Sequence, residues 1–143
     1  MLEKFLDKIE FDSYEDFKEN FKINVPDGFN FAYDVVDEWG KQDESKEALI
    51  WCDDFGNRKR YTFKDLTKLS NQVANFFLSK GLKKGDRVML VLGRDYQYWY
   101  AMLGLNRLGA IAIPAMNQLL AKDFEYRFNA AGVSALVCTG DGD

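Results

Sequence analysis

Residues 88–92, Val-Met-Leu-Val-Leu, form an unbroken apolar run between the charged turn Lys83-Lys84-Gly85-Asp86-Arg87 and Gly93-Arg94-Asp95. A strand with one face in water alternates apolar and polar residues, because successive side chains point to opposite faces of the sheet. A run that is apolar at every position has no face in water. This is what a strand covered by helices on both sides requires, and the question is what such a buried strand belongs to.

The flanking sequence agrees. Before the run, Thr62 and Asp65 form a capping box, and Phe63, Leu66, Leu69, Val73, Phe76 and Phe77 recur near a 3.6-residue period. The spacing predicts a helix over 63–80, closed by Gly81 as a left-handed cap. After the strand at 87–92 the pattern repeats. A helix over 95–108, with Asp95 as N-cap, ends at Gly109; a strand over 110–114 follows; a helix over 121–131 ends at Gly132; and a strand over 134–138 closes the series. Strands and helices alternating at this spacing imply βαβ units, hence an α/β fold with three parallel strands flanked by helices. Upstream, Ala48–Cys52 and Arg58–Tyr61 read as a β-hairpin around Asp53-Asp54-Phe55-Gly56-Asn57.

The N-terminal stretch differs. Its first 23 residues read as one or two short amphipathic helices that pack onto the body, with Phe5, Leu6 and Ile9 on one face and Ser13 and Asp16 as a capping box before Phe17 and Phe21. The sequence VPDGFN (25–30) breaks this pattern, and Asn30 is placed to cap a helix running to about Trp39. The expected division is residues 1–27 as a helical extension and 28–143 as the body. The last strand ends so close to residue 143 that the chain is expected to be part of a longer protein.

Composition narrows the chemistry. The chain has 143 residues, enough for one domain and one core, and its 47% hydrophobic content excludes a disordered class. Residues 1–47 hold 14 acidic against 6 basic side chains, and residues 48–143 hold 9 against 13. A mildly basic body suits either an anionic ligand such as a nucleotide or an ordinary solvated surface. There is no histidine, so Ser-His-Asp, Cys-His and histidine-metal chemistry are excluded within this chain. The two cysteines, Cys52 and Cys138, are far apart, as expected of buried free thiols in a reducing compartment. The charged N-terminus is unlike a signal peptide, and the most apolar window is broken by Asn106, Arg107 and Pro114; the expectation is a cytoplasmic protein without a membrane span.

No catalytic set and no metal site can be assigned. The phosphate loops G-x-x-x-x-G-K-[ST] and G-x-G-x-x-G are both missing. Asp53 and Asp54 read as turn residues, since a cation would need more oxygens nearby. Arg94-Asp95-Tyr96-Gln97-Tyr98-Trp99-Tyr100 could stack a base or line an acyl pocket, but helical spacing of Tyr96, Trp99 and Leu103 favours core packing. Arg94 stands at a strand-to-helix junction, where it could reach a phosphate. The terminal Thr139-Gly140-Asp141-Gly142-Asp143 has the composition of a ligand loop at a strand's carboxyl end or of a frayed tail.

The wording of the sequence goes further than its pattern. Tyr61-Thr62 stands before the helix, and Gly81-Leu82-x-x-Gly85-Asp86-Arg87-Val88 turns into the strand. Leu108-Gly109-Ala110 and Pro114 follow, then Tyr126-Arg127, then Val133-x-x-Leu136-Val137. In this order, over about residues 28–139, they resemble the opening third of the adenylate-forming enzymes: acyl- and aryl-CoA synthetases, luciferases and peptide-synthetase adenylation domains. Phe29 to Gly40 and the Pro114-x-x-x-Gln118 stretch are most similar to the medium-chain acyl-CoA synthetase branch.

The resemblance implies a partial N-terminal subdomain of that fold. It also implies, for the longer protein, ATP, Mg²⁺ and CoA as cofactors and a fatty or similar carboxylic acid as substrate. Gln118 falls on a glutamine that lies near bound CoA in the family, and Ala115, Met116 and Asn117 form the same loop; as plain residues they read equally as the approach to the helix at 121–131. The family's Ser/Thr/Gly-rich ATP-phosphate loop and its C-terminal lysine are missing, so this chain alone is expected to be inactive, to bind no cofactor tightly and to self-associate. The competing reading is a free-standing, non-catalytic, flavodoxin-like binding or interaction module; a flavin or dinucleotide protein is disfavoured because no phosphate loop follows the first parallel strand.

Overall fold

The computed structural model describes residues 2–140. It divides into two compact units, residues 1–30 and 31–143. In the first, Leu2–Lys4 is a short 3-10 turn and α1 is Tyr14–Asn20. The stretch around Ile9 is therefore not helical; Leu6 instead bridges Ile23 in antiparallel fashion. Aromatic rings hold this small unit, with Phe11 edge-on to Phe17 at 5.2 Å and Phe17 stacked on Phe21 at 4.8 Å.

The expected capping box at Ser13 is half made. Ser13 Oγ accepts the Asp16 N–H, but the Asp16 carboxylate takes the Asp12 N–H, Lys8 Nζ and Asn20 Nδ2 instead. Those bonds, with Lys8 first, draw the Asp16 carboxyl down to about 2.

The second unit begins with a helix that differs from expectation in kind. Ala32–Asp37 is π-helical and leads into α2, Glu38–Gln42; the helical backbone starts at Phe31, which makes no side-chain cap. Strands β1 (Glu47–Cys52) and β2 (Arg58–Thr62) pair antiparallel as the expected hairpin. At its tip Asp53 accepts the N–H groups of Phe55 and Asn57 and the Asn57 amide, so its carboxylate serves the turn.

Helix α3 is Phe63–Ser79, with both halves of the Thr62/Asp65 box formed. Strand β3 is Arg87–Val91, α4 Gln97–Leu108, β4 Ile111–Pro114, α5 Ala121–Ala131 and β5 Ala135–Cys138. The last three strands form one parallel sheet in the order β4-β3-β5. The apolar run thus occupies the centre, and Val88, Met89 and Leu90 are essentially inaccessible. Val88 and Leu90 join Phe77, Ala101 and Leu105 in one cluster under α3 and α4, while Met89 and Val91, on the other face, are buried as well. From β3 the chain crosses to one side and from β4 it crosses back over β3. Right-handed crossovers therefore place α4 and α5 on opposite faces of the sheet.

Helices α3 and α4 approach closely at Gly104, where an added Cβ would stand 2.8 Å from Val73 Cγ1 and 3.2 Å from the Ala74 backbone nitrogen. Gly81, Gly109 and Gly132 all take the left-handed conformation expected at the helix ends. Beside this contact lies a buried polar network. The Arg107 side chain, 1% exposed, forms a forked ion pair with Asp37, and its Nε donates to Ser70 Oγ at 2.8 Å. Thr67 Oγ1 donates to Asp37 at 2.8 Å. Burial alone would push the Asp37 carboxyl up, but the bonds from Arg107 and Thr67 outweigh it and hold the group below its ordinary value.

Several expectations fail for identifiable reasons. Asp95 does not cap α4. The helix starts at Gln97 after Tyr96, which is already helical, and it is the Asp95 carbonyl that accepts the Tyr98 N–H. Phe76 and Trp99 are half exposed rather than core, and both cysteines are exposed rather than buried. Each cysteine ends a strand whose alternate residues face outward. Asp141, Gly142 and Asp143 lie outside the described residues.

Two outcomes follow from the core. Leu90→Ala should cost about 2–5 kcal/mol, read as a lowered thermal midpoint; an unchanged melt would show that β3 is not central. Asp37→Asn leaves a buried guanidinium unpaired and should cost about 3–5 kcal/mol near neutral pH. Because the folded carboxyl is held down, its contribution is complete above the ordinary carboxylate value of about 4 and is lost as pH falls below it. Acid titration of both proteins should therefore show the gap closing below that value.

Candidate functional site

Three segments emerge from the carboxyl ends of the parallel strands: Leu92–Tyr96 after β3, Ala115–Leu120 after β4, and Thr139–Gly140 after β5. In an open α/β sheet a crevice forms where neighbouring strands send their connections to opposite faces. Here that point lies between β3 and β4. The Ala115 N–H still pairs with the Leu90 carbonyl at 2.9 Å, so the β4 loop leaves the sheet directly beside the β3 loop. The two then stay close: an added Cβ on Gly93 would lie 3.7 Å from Asn117 Nδ2.

The four loop residues singled out from sequence are therefore contiguous at the switch point. Ala115 is half-buried, Met116, Asn117 and Gln118 are exposed, and a turn falls at Asn117–Gln118. Leu120 then enters α5 with its N–H donated to the Asp123 carboxylate at 3.0 Å. The loop is at once the approach to α5 and the neighbour of Gly93 at the switch point.

Aromatic side chains set the position of the β3 loop. Trp51 Nε1 donates to the Arg94 carbonyl at 2.6 Å, and Lys59 Nζ donates to Tyr96 Oη at 2.5 Å. Tyr96 stacks on Tyr61 at 5.7 Å and meets Trp51 edge-on at 5.3 Å. The hairpin is thereby stapled to the start of α4, a role the aromatic density of residues 94–100 suggested only as packing. The bond to Tyr96 raises the Lys59 ammonium, and burial raises the Tyr61 and Tyr100 phenols. All three stay protonated near neutrality, so the cluster can hold and donate but cannot act as a base or a nucleophile.

Two concavities open on this rim. A shallow one of about 350 Å³ is bounded by Gly93, Arg94, Asp95, Tyr98 and Trp99. A larger cleft of about 490 Å³ lies between α3, the start of α4 and the ends of β3 and β5, with Phe76, Tyr100 and Thr139 among its walls. Sequence reading missed this cleft. Among the described residues no three His, Cys, Asp or Glu side chains come together to hold a metal ion, and no helix is long and apolar enough to cross a membrane.

A parallel sheet whose connections part to opposite faces at its carboxyl edge is an open α/β layer, and comparison with known proteins supplies the family. Residues 36–143 match the model of the AMP-binding enzymes, described as AMP-binding enzyme, and the chain belongs to that family. It is 35% identical over 133 residues to the mouse protein named acyl-coenzyme A synthetase ACSM3, mitochondrial, covering 89% of this chain and 23% of that protein. To the rat acyl-coenzyme A synthetase ACSM5, mitochondrial, it is 38% identical over 122 residues, or 81% of this chain and 21% of the other. The chain thus spans about a quarter of the length of these relatives.

Among solved structures, the acyl-CoA synthetase of Brucella canis superposes with a TM-score of 0.74 at 29% identity, covering 80% of this chain and 21% of that one. The N-terminal subdomain of Klebsiella oxytoca NpsA gives 0.68 at 23% identity over 77% and 28%, which speaks to the fold alone.

The exposed loop makes one structural expectation checkable. Gln118→Ala in this chain should leave the thermal midpoint within the shift of about ±0.5 kcal/mol typical of surface changes. A larger loss would mean that the side chain holds the turn before α5.

Proposed function

We propose that this chain is the N-terminal portion of an ATP-dependent acyl-CoA synthetase of the medium-chain branch. The longer protein would join a fatty or similar carboxylic acid to CoA through an acyl-adenylate, releasing pyrophosphate and AMP. The observation that supports this most is that motifs read from Tyr61 to Val137 fall within the single stretch matched by the AMP-binding family. Adenylation gives the carboxylate a good leaving group, and cations offset the charge on the phosphates. This chain carries no phosphate loop for ATP and no acidic cluster for Mg²⁺ among its described residues, so its part is to form a wall of the site and not to perform the chemistry.

In this reading Ala115, Met116, Asn117 and Gln118 face CoA. Their support is position: an exposed turn at the switch-point crevice, adjoining Gly93. By itself the chain should form no acyl-adenylate. Exposed Ile111, Leu136 and Met116 along one sheet face and rim would favour self-association at high concentration. We also place the protein in the cytoplasm, on its two unpaired cysteines, while the relatives named above are called mitochondrial; fractionation of the tagged protein decides between the two.

The test uses the longer protein. Gln118→Ala should raise the apparent KM for CoA several-fold while leaving carboxylate-dependent pyrophosphate exchange unchanged, because exchange reports adenylation alone. A fall in exchange with an unaltered CoA dependence would overturn the assignment of this loop.

A further inference from the structure

The turn proposed to face CoA has little around it. Met116, Asn117 and Gln118 are exposed, and alongside them lies the β3 loop, where an added Cβ on Gly93 would stand 3.7 Å from Asn117 Nδ2. The width of the crevice is therefore set by where the backbone of Gly93 and Arg94 stands.

Neither the sheet nor α4 sets that backbone. β3 ends at Val91 and α4 begins at Gln97, and the first helical bonds, from the Tyr98 and Trp99 N–H groups, run to the carbonyls of Asp95 and Tyr96. Among the described residues, the hydrogen bond that reaches Gly93–Arg94 from another element comes from the hairpin: Trp51 Nε1 donates to the Arg94 carbonyl at 2.6 Å. Lys59, the cross-strand partner of Trp51, donates to Tyr96 Oη two residues further on. One rung of the hairpin thus grips the loop twice, at a main-chain atom and at a side chain.

An indole has a single donor, and half-buried Trp51 directs it at this carbonyl rather than at water. A neutral hydrogen bond changes an equilibrium by roughly two- to tenfold. A ligand that meets a wall already in place loses no affinity to ordering it. We infer that Trp51 is a positioning residue for CoA: through the Arg94 carbonyl it holds the β3 wall against the turn at Asn117–Gln118. The inference rests on the reading of that turn as facing CoA, and it adds a residue from a different element, remote from the crevice in sequence.

Two measurements test it. The first needs no CoA. In the ¹⁵N-labelled chain, Trp51→Phe keeps a ring beside Tyr96 and removes the N–H donor. Backbone order from relaxation should then fall at Gly93, Arg94, Asn117 and Gln118 while β3 and β5 stay ordered. The second uses the longer protein. There Trp51→Phe should raise the apparent KM for CoA roughly two- to tenfold and leave kcat at saturating CoA and carboxylate-dependent pyrophosphate exchange unchanged. Trp39→Phe makes the same trim at an indole that packs beside Phe63, and it should leave the KM for CoA as it was. Unaltered order at the loop, an unaltered KM in Trp51→Phe where Gln118→Ala raises it, an equal rise in Trp39→Phe, or a parallel fall in exchange would each overturn the inference. An unaltered KM in Gln118→Ala overturns the reading of the turn itself, and the role of Trp51 in CoA binding falls with it.

Discussion

The fork between Arg107 and Asp37 joins three parts of the second unit that are remote in sequence. Asp37 ends the π-helical turn, Ser70 and Thr67 lie on α3, and Arg107 comes from the last turn of α4. Without this pairing a guanidinium that is 1% exposed would have no counter-charge. Such a pair adds little net stability compared with a well-packed apolar substitute, yet removing one partner is severe. It ties the π-helical turn, α3 and α4 together beside the close approach of Gly104 to Val73.

The location of the candidate site then follows from strand order. With β3 central and its connection and that of β4 leaving to opposite faces, the switch point among the described strands lies between β3 and β4 at their carboxyl ends. The Ala115–Gln118 loop lies there because β4 is short, ending at Pro114. The aromatic staple from the hairpin holds the facing loop, so the crevice has a fixed wall on the β3 side and a turn exposed to solvent on the other.

Much of the fold was legible because its signals are local. The uninterrupted run at 88–92 is read as a doubly covered strand once the helices on either side of it are recognised, and Gly81, Gly109 and Gly132 stand where left-handed caps were needed. The π-helical turn left no trace, since Ala32–Asp37 has the composition of any short helix and its widened winding places Asp37 for an arginine 70 residues away. Asp95 looked like a cap because caps are recognised by residue type, whereas Tyr96 was recruited into a cluster built by Trp51, Lys59 and Tyr61 from another element. Of the site, the loop at 115–118 was found through family wording alone; its residues carry no charge or nucleophile that chemistry could have flagged. The cleft beneath Phe76 went unread because a phenylalanine on an amphipathic helix gives no sign of whether its face is covered.

Strand order also has a consequence in time. The central strand is the first of the three to be synthesised, and both of its neighbours come later: β4 after some twenty residues, β5 after more than forty. During that interval β3 has an unpaired edge, and the face bearing Met89 and Val91 awaits α5. A nascent chain on the ribosome therefore carries its most apolar segment half-finished until Ala135–Cys138 has cleared the exit tunnel, the situation in which unpaired edges recruit other chains. For this protein the hazardous interval of biogenesis is set by the distance from Val91 to Ala135, and chaperone demand should be concentrated there.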